Sequence, residues 1–318
     1  MDLIDAHIET FLWARLAGYD LTASHGPGLL GGRLYSQVDV PRMLAAGMTG
    51  AVFSIATNPF RSRAGRGRTV RANLARLRAT LESHPKVAVV DTAGAYRRAR
   101  AEDRLGVFLA LQGGNAVDAS GVADLSDTVT RVTLVHLTGS ALGTPSVPVR
   151  WGRGGLTSGG RAYVEALNAR RILVDLAHVD RRGFWDALAV HDRSQPAIVS
   201  HTGVRGVHDH WRNIDDAQIE AIAELGGVVG IMYHAAFLGG RSMEAVVRHV
   251  EHVIRVAGDD HVCLGSDWDG FIVPPPDLRS VTQLPALLRC MADRGLSEET
   301  VAKVAGANYL RVMEAVRP

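Results

Sequence analysis

Short apolar, β-rich runs alternate with helical segments along the chain, and this alternation restricts the fold more than any other feature. Eight such runs lie at residues 3–9, 50–56, 106–112, 131–136, 172–178, 197–201, 228–233 and 261–267. Strands that alternate with helices are typical of parallel β/α folds, and eight is the strand number of the (β/α)8 TIM barrel. One further run, at 87–91, could be a ninth strand or an outer hairpin, and we expect it outside the barrel.

The segments between the strands have the apolar spacing of amphipathic helices. Two stripes follow the i, i+3, i+4, i+7 rule: Leu74, Leu77 and Leu81, and Val246, Val250, Val253 and Ile254. Asp215 or Asp216 is a suitable N-cap for the helix that follows it, and Ser297 for the last helix. A chain of 318 residues suits one barrel, so residues 1–318 are predicted to form a single catalytic domain.

The charge and cysteine content restrict the partners and the compartment. The net charge is +2 and the arginines are dispersed, so we expect no nucleic-acid partner; the densest arginine cluster, at 61–71, is interpreted as a solvated loop. Two cysteines, Cys263 and Cys290, exclude a disulfide framework. No run of eighteen apolar residues occurs, and the first strand leaves no room for a signal peptide. We therefore expect a cytoplasmic protein without a membrane partner.

Polar residues of metal-ligand type stand where several apolar runs end. His7 and Glu9 are two positions apart in the first strand, so both can face the barrel axis. His178 and His201 end the fifth and sixth strands. One strand-end histidine would be weak evidence, but chance seldom places such groups on several strands at the face where barrels keep their active sites. The set predicts a divalent-metal site.

Three more residues are candidates for catalysis or substrate binding. Asp267, taken as the last residue of the eighth strand, can act as general base towards a metal-activated water, while Asp269 and Gly270 suit the following turn. His136 could stabilise an oxyanion. Arg212 could bind a substrate carboxylate. The dinucleotide-binding, phosphate-loop and serine-hydrolase motifs are absent, which favours a metal-dependent hydrolase.

These motifs resemble, in order and almost end to end, those of the membrane (renal) dipeptidase family of metallopeptidases, which is related to the amidohydrolases. The resemblance is carried by blocks at residues 5–7, 155–157, 174–178, 200–201, 212–216, 226–230, 265–270 and 306–311. It implies a homodimeric barrel that hydrolyses dipeptides or other small amides. It also implies two zinc ions held by a His-x-Asp pair, a bridging glutamate and two histidines.

The resemblance assigns a role to each candidate residue. His7 and Glu9 match the first metal pair, His178 and His201 the two histidines, Asp267 the proton acceptor, and His136 and Arg212 the substrate-binding residues. Two positions depart from the family pattern: Glu9 stands for Asp, and Gln112 for the bridging Glu. A neutral amide compensates less charge than a carboxylate, so we predict one tightly bound zinc and a second that is weak or absent. The sequence does not decide which position keeps its metal.

The leading hypothesis is a metallo-dipeptidase that acts on a small molecule with a free carboxylate. One alternative is a catalytically silent barrel that binds a small molecule or a partner protein. Another is a metal enzyme with a different reaction, such as hydrolysis of a lactone or an unusual amide. Although Gln112 replaces the bridging glutamate, six other candidate residues are retained, namely His7, His136, His178, His201, Arg212 and Asp267. Their retention favours a working enzyme.

Overall fold

Strands and helices alternate along the chain. The structure, a computed structural model, describes residues 1–28, 31, 35–56, 62–116, 122, 125, 127–148 and 154–318. The strands are Ile4–Ile8 (β1), Gly50–Ala56 (β2), Val87–Val89 (β3), Leu105–Gln112 (β4), Val129–Thr133 (β5), Leu173–Asp175 (β6), Ala197–Thr202 (β7), Val229–Ile231 (β8) and Val262–Leu264 (β9). The α-helices are Phe11–Leu16 (α1), Val40–Ala45 (α2), Arg63–Glu82 (α3), Ala93–Ala101 (α4), Ser158–Ala169 (α5), Arg181–Leu188 (α6), Asp216–Glu224 (α7), Ala235–Leu238 (α8), Met243–Ala257 (α9), Leu284–Asp293 (α10), Glu298–Ala302 (α11) and Asn308–Val316 (α12).

Eight parallel strands form a nearly closed barrel. Their order is β1-β2-β4-β5-β6-β7-β8-β9. The chain beyond β9 returns to β1, where the Asp267 amide donates to the His7 carbonyl and the Glu9 amide donates to the Trp268 carbonyl, each at 3.0 Å. The predicted (β/α)8 architecture is confirmed. Because all strands are parallel, their carboxyl ends meet at one mouth.

The strand β3 lies outside the barrel, as expected from the sequence. It pairs in parallel with residues 105–107 of β4, whereas β5 pairs with β4 from Leu109 onwards. Along this edge of β4, β3 therefore pairs with the first residues of the strand and β5 pairs with the later ones. The parallel pairing excludes the hairpin alternative for β3.

The helices present the predicted apolar stripes to the barrel. Leu74, Leu77 and Leu81 of α3 are buried, and so are Val246, Val250 and Val253 of α9. Asp215 caps α7 through a capping box with Gln218, and Ser297 caps α11. Cys263 and Cys290 are both free. Among the described helices, none has the length and apolar character that a membrane crossing requires.

The arginine cluster at 61–71 was wrongly interpreted as a loop. Its described part from residue 63 onwards belongs to α3, while Arg61 lies outside the described residues. The Ser62 hydroxyl accepts a hydrogen bond from the Gly65 amide and so caps this helix. The capping and the downstream leucine stripe outweigh the low helix propensity of the glycines.

Several predicted strands extend too far towards the mouth. The strands β5, β6 and β9 end at Thr133, Asp175 and Leu264, three residues before His136, His178 and Asp267. His178 and Asp267 have φ values of 65° and 62°, which no strand residue adopts. The hydrogen bonding between these strands stops early because the chain turns inwards at His178 and Asp267, beyond the last paired residues.

Candidate metal centre

The side chains assigned to the metal from the sequence meet at the carboxyl end of the barrel. His7 lies in β1, Gln112 ends β4 and His201 lies in β7. Glu9 and His178 follow β1 and β6. Together with Asp267, each of these side chains has a polar atom within 3.7 Å of another member of the group. The fold therefore brings all of the predicted ligands together.

One half of the centre is built from two imidazoles and an amide. His178 Nε2 and His201 Nε2 are 2.8 Å apart. One atom of the Gln112 amide lies 3.1 Å from His178 Nε2 and 3.3 Å from His201 Nε2. When the amide is oriented so that its nitrogen donates to Glu9, this atom is the oxygen, and it accepts from His178 Nε2. Ligand atoms about 2.0–2.2 Å from a tetrahedral zinc are roughly 3.4 Å apart, so this triangle is close to a set of metal ligands.

The other half contains His7 and two carboxylates. His7 Nε2 is 3.7 Å from Glu9 Oε1 and 3.5 Å from Asp267 Oδ1. It is fully buried and has no hydrogen-bond partner. The Gln112 amide nitrogen donates to the Glu9 carboxylate in the satisfied orientation. Gln112 thus lies between the two halves, at the position that a bridging ligand would take.

Asp267 is held in place by a strained turn that follows β9. Asp267, Asp269 and Phe271 all have positive φ, a conformation that costs non-glycine residues free energy and is often found at functional sites. The Asp269 carboxylate accepts hydrogen bonds from the Thr10 hydroxyl at 2.6 Å and the Gln37 amide at 3.0 Å. Asp269 anchors the turn, and Asp267 is free to face the centre.

Burial governs the protonation of the centre. It lowers the pKa of His7, His178 and His201 well below the usual range, so these imidazoles are neutral and can act as ligands. Burial raises the pKa of Glu9 well above its usual range, and the neighbouring charge of Asp267 adds to this effect. Burial also raises the pKa of Asp267 to about 8. Both carboxylates are therefore costly to ionise without a nearby cation.

Buried carboxylates outnumber buried guanidinium groups around the centre. The carboxylates are those of Asp5, Glu9, Asp175, Asp267 and Asp269, and the guanidinium groups are those of Arg131 and Arg212. When ionised, the carboxylates carry more charge than the guanidinium groups balance. An uncompensated buried charge is strongly unfavourable, and a bound cation would compensate it. The donor set and its charge therefore fit a metal.

Asp175 lies close enough to His7 and His201 for the three residues to form a metal-binding group. Its carboxylate already accepts hydrogen bonds from the hydroxyls of Thr133 and Ser200, both at 2.6 Å. It also accepts from the amides of Ala177 and Ser200. Since both oxygens are saturated, Asp175 supports the ligands rather than binding the ion.

Arg131 was missed by the sequence reasoning. Its guanidinium is completely buried and donates to the Ala6 carbonyl, to Ser54 Oγ at 2.7 Å and to His7 Nδ1 at 2.8 Å. The predicted strand began at Arg131, but β5 begins at Val129, so Arg131 lies in the middle of the strand. A charged residue inside an apolar run was the available signal.

His136 and Arg212 lie beside the histidine half of the centre. The His136 ring is 4.7 Å from that of His178, and burial lowers its pKa to about 4, so it is a neutral imidazole. Arg212 is buried and donates to the His201 carbonyl at 2.9 Å, while its Nε has no partner. A cavity of about 200 Å³ is lined by His178, Trp211 and Arg212. This cavity could hold a small ligand next to the ligand cluster.

Two solved structures and one curated protein illustrate what the chain resembles. Dipeptidase AC, a metallopeptidase of family M19, is 26% identical with a TM-score of 0.84, over 100% of this chain and 99% of that one. A metallopeptidase from Rhodobacter sphaeroides, liganded with a phosphinate mimic of the dipeptide L-Ala-D-Ala, is 25% identical with a TM-score of 0.85, over 99% of each chain. An uncharacterized dipeptidase of Schizosaccharomyces pombe is 34% identical over 185 residues, which are 57% of this chain and 45% of that protein.

The extent of the match differs between these relatives. The chain spans 45–61% of the length of the curated relatives that it matches, but nearly all of both solved structures. The sequence profile of the membrane dipeptidase family matches residues 1–318. The chain therefore belongs to the membrane dipeptidase family, peptidase family M19.

Proposed function

We propose that the protein is a metal-dependent dipeptidase that hydrolyses a dipeptide or related small amide with a free carboxylate. The observation that carries this proposal is the convergence of three neutral imidazoles and two buried carboxylates at the mouth of the barrel. Family membership supports it. The dipeptide mimic bound by the Rhodobacter sphaeroides relative supports the substrate class.

The centre holds one tightly bound zinc, with a second that is weak or absent. Its ligands come from the set His7, Glu9, Gln112, His178 and His201. The support for a single ion is electrostatic, because the neutral amide of Gln112 leaves one negative charge fewer to compensate a second dication. The family resemblance implies a glutamate at position 112, and Gln112 provides a neutral oxygen in its place.

Each remaining group has a task that its surroundings allow. A bound divalent ion would lower the pKa of water and polarise the scissile carbonyl. Asp267 accepts the proton of the attacking water, because a bound dication would offset the burial that raises its pKa in the metal-free protein and so would keep its carboxylate ionised. His136 stays neutral and donates a hydrogen bond to the developing oxyanion. Arg212, with its free Nε, binds the substrate carboxylate beside the cavity.

Dipeptide hydrolysis by zinc-loaded protein, with and without a chelator, tests this function. We expect the chelator to abolish activity and Asp267→Asn to lower kcat by about 10²- to 10⁴-fold, because the general base is lost. The matched control is Asp103→Asn, an exposed residue paired with Lys86, which should retain full activity. Hydrolysis that persists in fully metal-free protein would refute the proposal.

Gln112 favours a second candidate, a metal enzyme with a different reaction. A less negative centre would activate water differently, and the substrate could be a lactone or an unusual amide. A substrate screen with zinc-loaded wild type and Gln112→Glu separates the two. Dipeptide cleavage by the wild type supports the first candidate, and lactone cleavage alone supports the second.

We further propose that the enzyme is a cytoplasmic homodimer. The two free cysteines agree with a reducing compartment, and the family resemblance implies the dimer. Light scattering after size-exclusion chromatography measures the mass in solution. A mass of one chain, 34.1 kDa, would contradict the dimer.

A further inference from the structure

The cavity beside Arg212 is lined by three arginines, and the proposed function uses only one of them. Arg181 and Arg205 line the same cavity of about 200 Å³ as Arg212 and His178. Arg212 is 3% exposed, whereas the side chains of Arg181 and Arg205 are 51% and 45% exposed. The cavity therefore runs from the buried centre to solvent, with one guanidinium group at its inner end and two at its outer end.

Ion pairs hold the two outer arginines in place. Arg181 Nε donates to Asp215 Oδ2 at 2.6 Å, and Arg205 Nε donates to Asp209 Oδ1 at 2.8 Å. Neither aspartate lines the cavity, so both partners pull from outside its wall. A guanidinium group has five N–H donors, so each ion pair fixes an arginine and leaves donors for a ligand.

The wall of the cavity carries an excess of positive charge. Among the described residues that line it, Asp180 is the one acidic residue, against three arginines. The Asp180 carboxylate accepts hydrogen bonds from the amides of Gly155 and Gly183, at 3.1 and 2.6 Å, and caps α6. Its charge therefore stabilises the helix N-terminus. The guanidinium groups give the cavity a preference for an anionic ligand.

The rest of the wall is held by hydrogen bonds of Ser146. Its amide donates to the His178 carbonyl at 2.6 Å, and its hydroxyl donates to the Trp211 carbonyl at 2.5 Å. Pro145, Val147 and Trp211 add apolar surface to the lining. Apolar surface of this kind can contact methylene groups. The cavity therefore suits a short aliphatic side chain that ends in an anion.

We propose that this cavity is the specificity subsite for the C-terminal side chain of the substrate, and that it selects aspartate and glutamate. The inference rests on the proposed function, in which Arg212 binds the α-carboxylate of a dipeptide. The side chain of the same residue then extends towards the outer arginines, where a second carboxylate can accept charge-assisted hydrogen bonds. Arg181 and Arg205 are the specificity-determining residues for dipeptides whose second residue is acidic.

Substrates of nearly equal size and different charge test the preference. Ala-Asp and Ala-Asn are assayed with zinc-loaded wild type, each with the L and the D form of the second residue. We expect kcat/KM to favour Ala-Asp by about 10-fold. The difference should lie in KM more than in kcat, because the contact is made before and during the reaction. Added salt should reduce it. Equal values for the two substrates in both configurations, or a preference for Ala-Asn, would overturn the proposal.

The outer arginines are tested by the ratio of kcat/KM for Ala-Asp to that for Ala-Asn. Arg181→Gln and Arg205→Gln should each lower this ratio about 3-fold, whereas structural damage would lower both values and leave the ratio unchanged. Arg181→Lys keeps the charge and should keep most of the preference. The matched control is Arg193→Gln, an exposed arginine that pairs with Glu224 outside the cavity and should keep the ratio of the wild type. A ratio that stays at the wild-type value in both cavity variants would contradict the role of these arginines.

Binding measured without turnover separates this inference from the proposed function. Zinc-loaded Asp267→Asn is titrated with Ala-Asp and with Ala-Asn by calorimetry, and Ala-Asp should bind about 10-fold more tightly. Tighter binding of Ala-Asp together with no hydrolysis by the wild type would refute the proposed function and leave the subsite standing. Dipeptide hydrolysis together with equal or undetectable binding of the two ligands would refute the subsite alone.

Discussion

At Gln112, an uncharged amide lies between a carboxylate and two imidazoles. Its nitrogen satisfies Glu9, and its oxygen faces His178 and His201. A carboxylate in this place could bind through both oxygens and would add one negative charge. The amide instead presents its nitrogen to Glu9 and its oxygen to the two histidines. Because the amide is neutral, it compensates one positive charge of a bound metal fewer than a carboxylate would.

The raised pKa of Asp267 predicts how the stability of the metal-free protein depends on pH. An acid whose pKa rises on folding, here from 3.8 to about 8, keeps its proton in the folded state, so the free energy of unfolding falls as the pH rises towards 8. The lowered pKa values of the buried histidines make the free energy of unfolding rise with pH, but only below the ordinary histidine pKa of 6.5. Between pH 6.5 and 8 the acid effect therefore dominates.

Urea unfolding of metal-free protein across this pH interval measures the effect. We expect the wild type to lose stability as the pH rises and Asp267→Asn to lose less, because the amide does not ionise. Bound zinc should remove most of the loss by stabilising the carboxylate. A wild type that becomes more stable between pH 6.5 and 8 without metal would contradict the assignment.

Sequence reasoning found the residues at strand ends and missed those beneath them. His7, Gln112 and His201 were visible because polar groups interrupt apolar runs at the face where barrels bind ligands. The role of Arg131 depended on the register of β5, and a shift of two residues in the strand start concealed it. The role of Asp175 depended on side-chain contacts with Ser200 and Thr133, which no spacing rule predicts.

Short strands with early ends shape the mouth of the barrel. The strands β6, β8 and β9 are three residues long, and the chain beyond β6 and β9 turns inwards at His178 and Asp267. The existence of these strands followed from their apolar composition. The apolar composition did not predict where these strands end, because the hydrogen bonding between strands stops at the residues whose side chains serve the site.

Close contact between β7, β8 and β9 requires glycine. A Cβ added at Gly230 would lie 1.9 Å from the carbonyl oxygen of Ser200, a backbone atom that cannot move away easily. We expect Gly230→Ala to lower the free energy of unfolding by about 3 kcal/mol, measured by urea denaturation. The control is Gly139→Ala, where the added carbon meets nothing within 4 Å, with a change within about 0.5 kcal/mol. Equal losses of stability in the two variants would contradict the close approach of Gly230 to the Ser200 carbonyl.

For the whole molecule, the barrel and the metal stabilise each other. The ligands come from β1, β4 and β7 and from the segments after β1 and β6, so they assemble only when the barrel is nearly closed. A ligand that binds the folded state alone raises the free energy of unfolding by mass action. Zinc at 100 times its dissociation constant should add about 2.7 kcal/mol, which raises Tm by roughly 4 °C for a chain of this length. Calorimetry with and without a chelator measures this shift, and an unchanged Tm would mean that the centre does not hold the ion.

The number of metal ions per chain tests the central claim most directly. Elemental analysis of zinc-loaded, dialysed protein should give one zinc per chain for the wild type, because the neutral Gln112 compensates less charge than a bridging carboxylate would. Gln112→Glu restores a carboxylate between the two halves and should raise the content towards two. Two tightly bound zinc ions in the wild type would contradict the account.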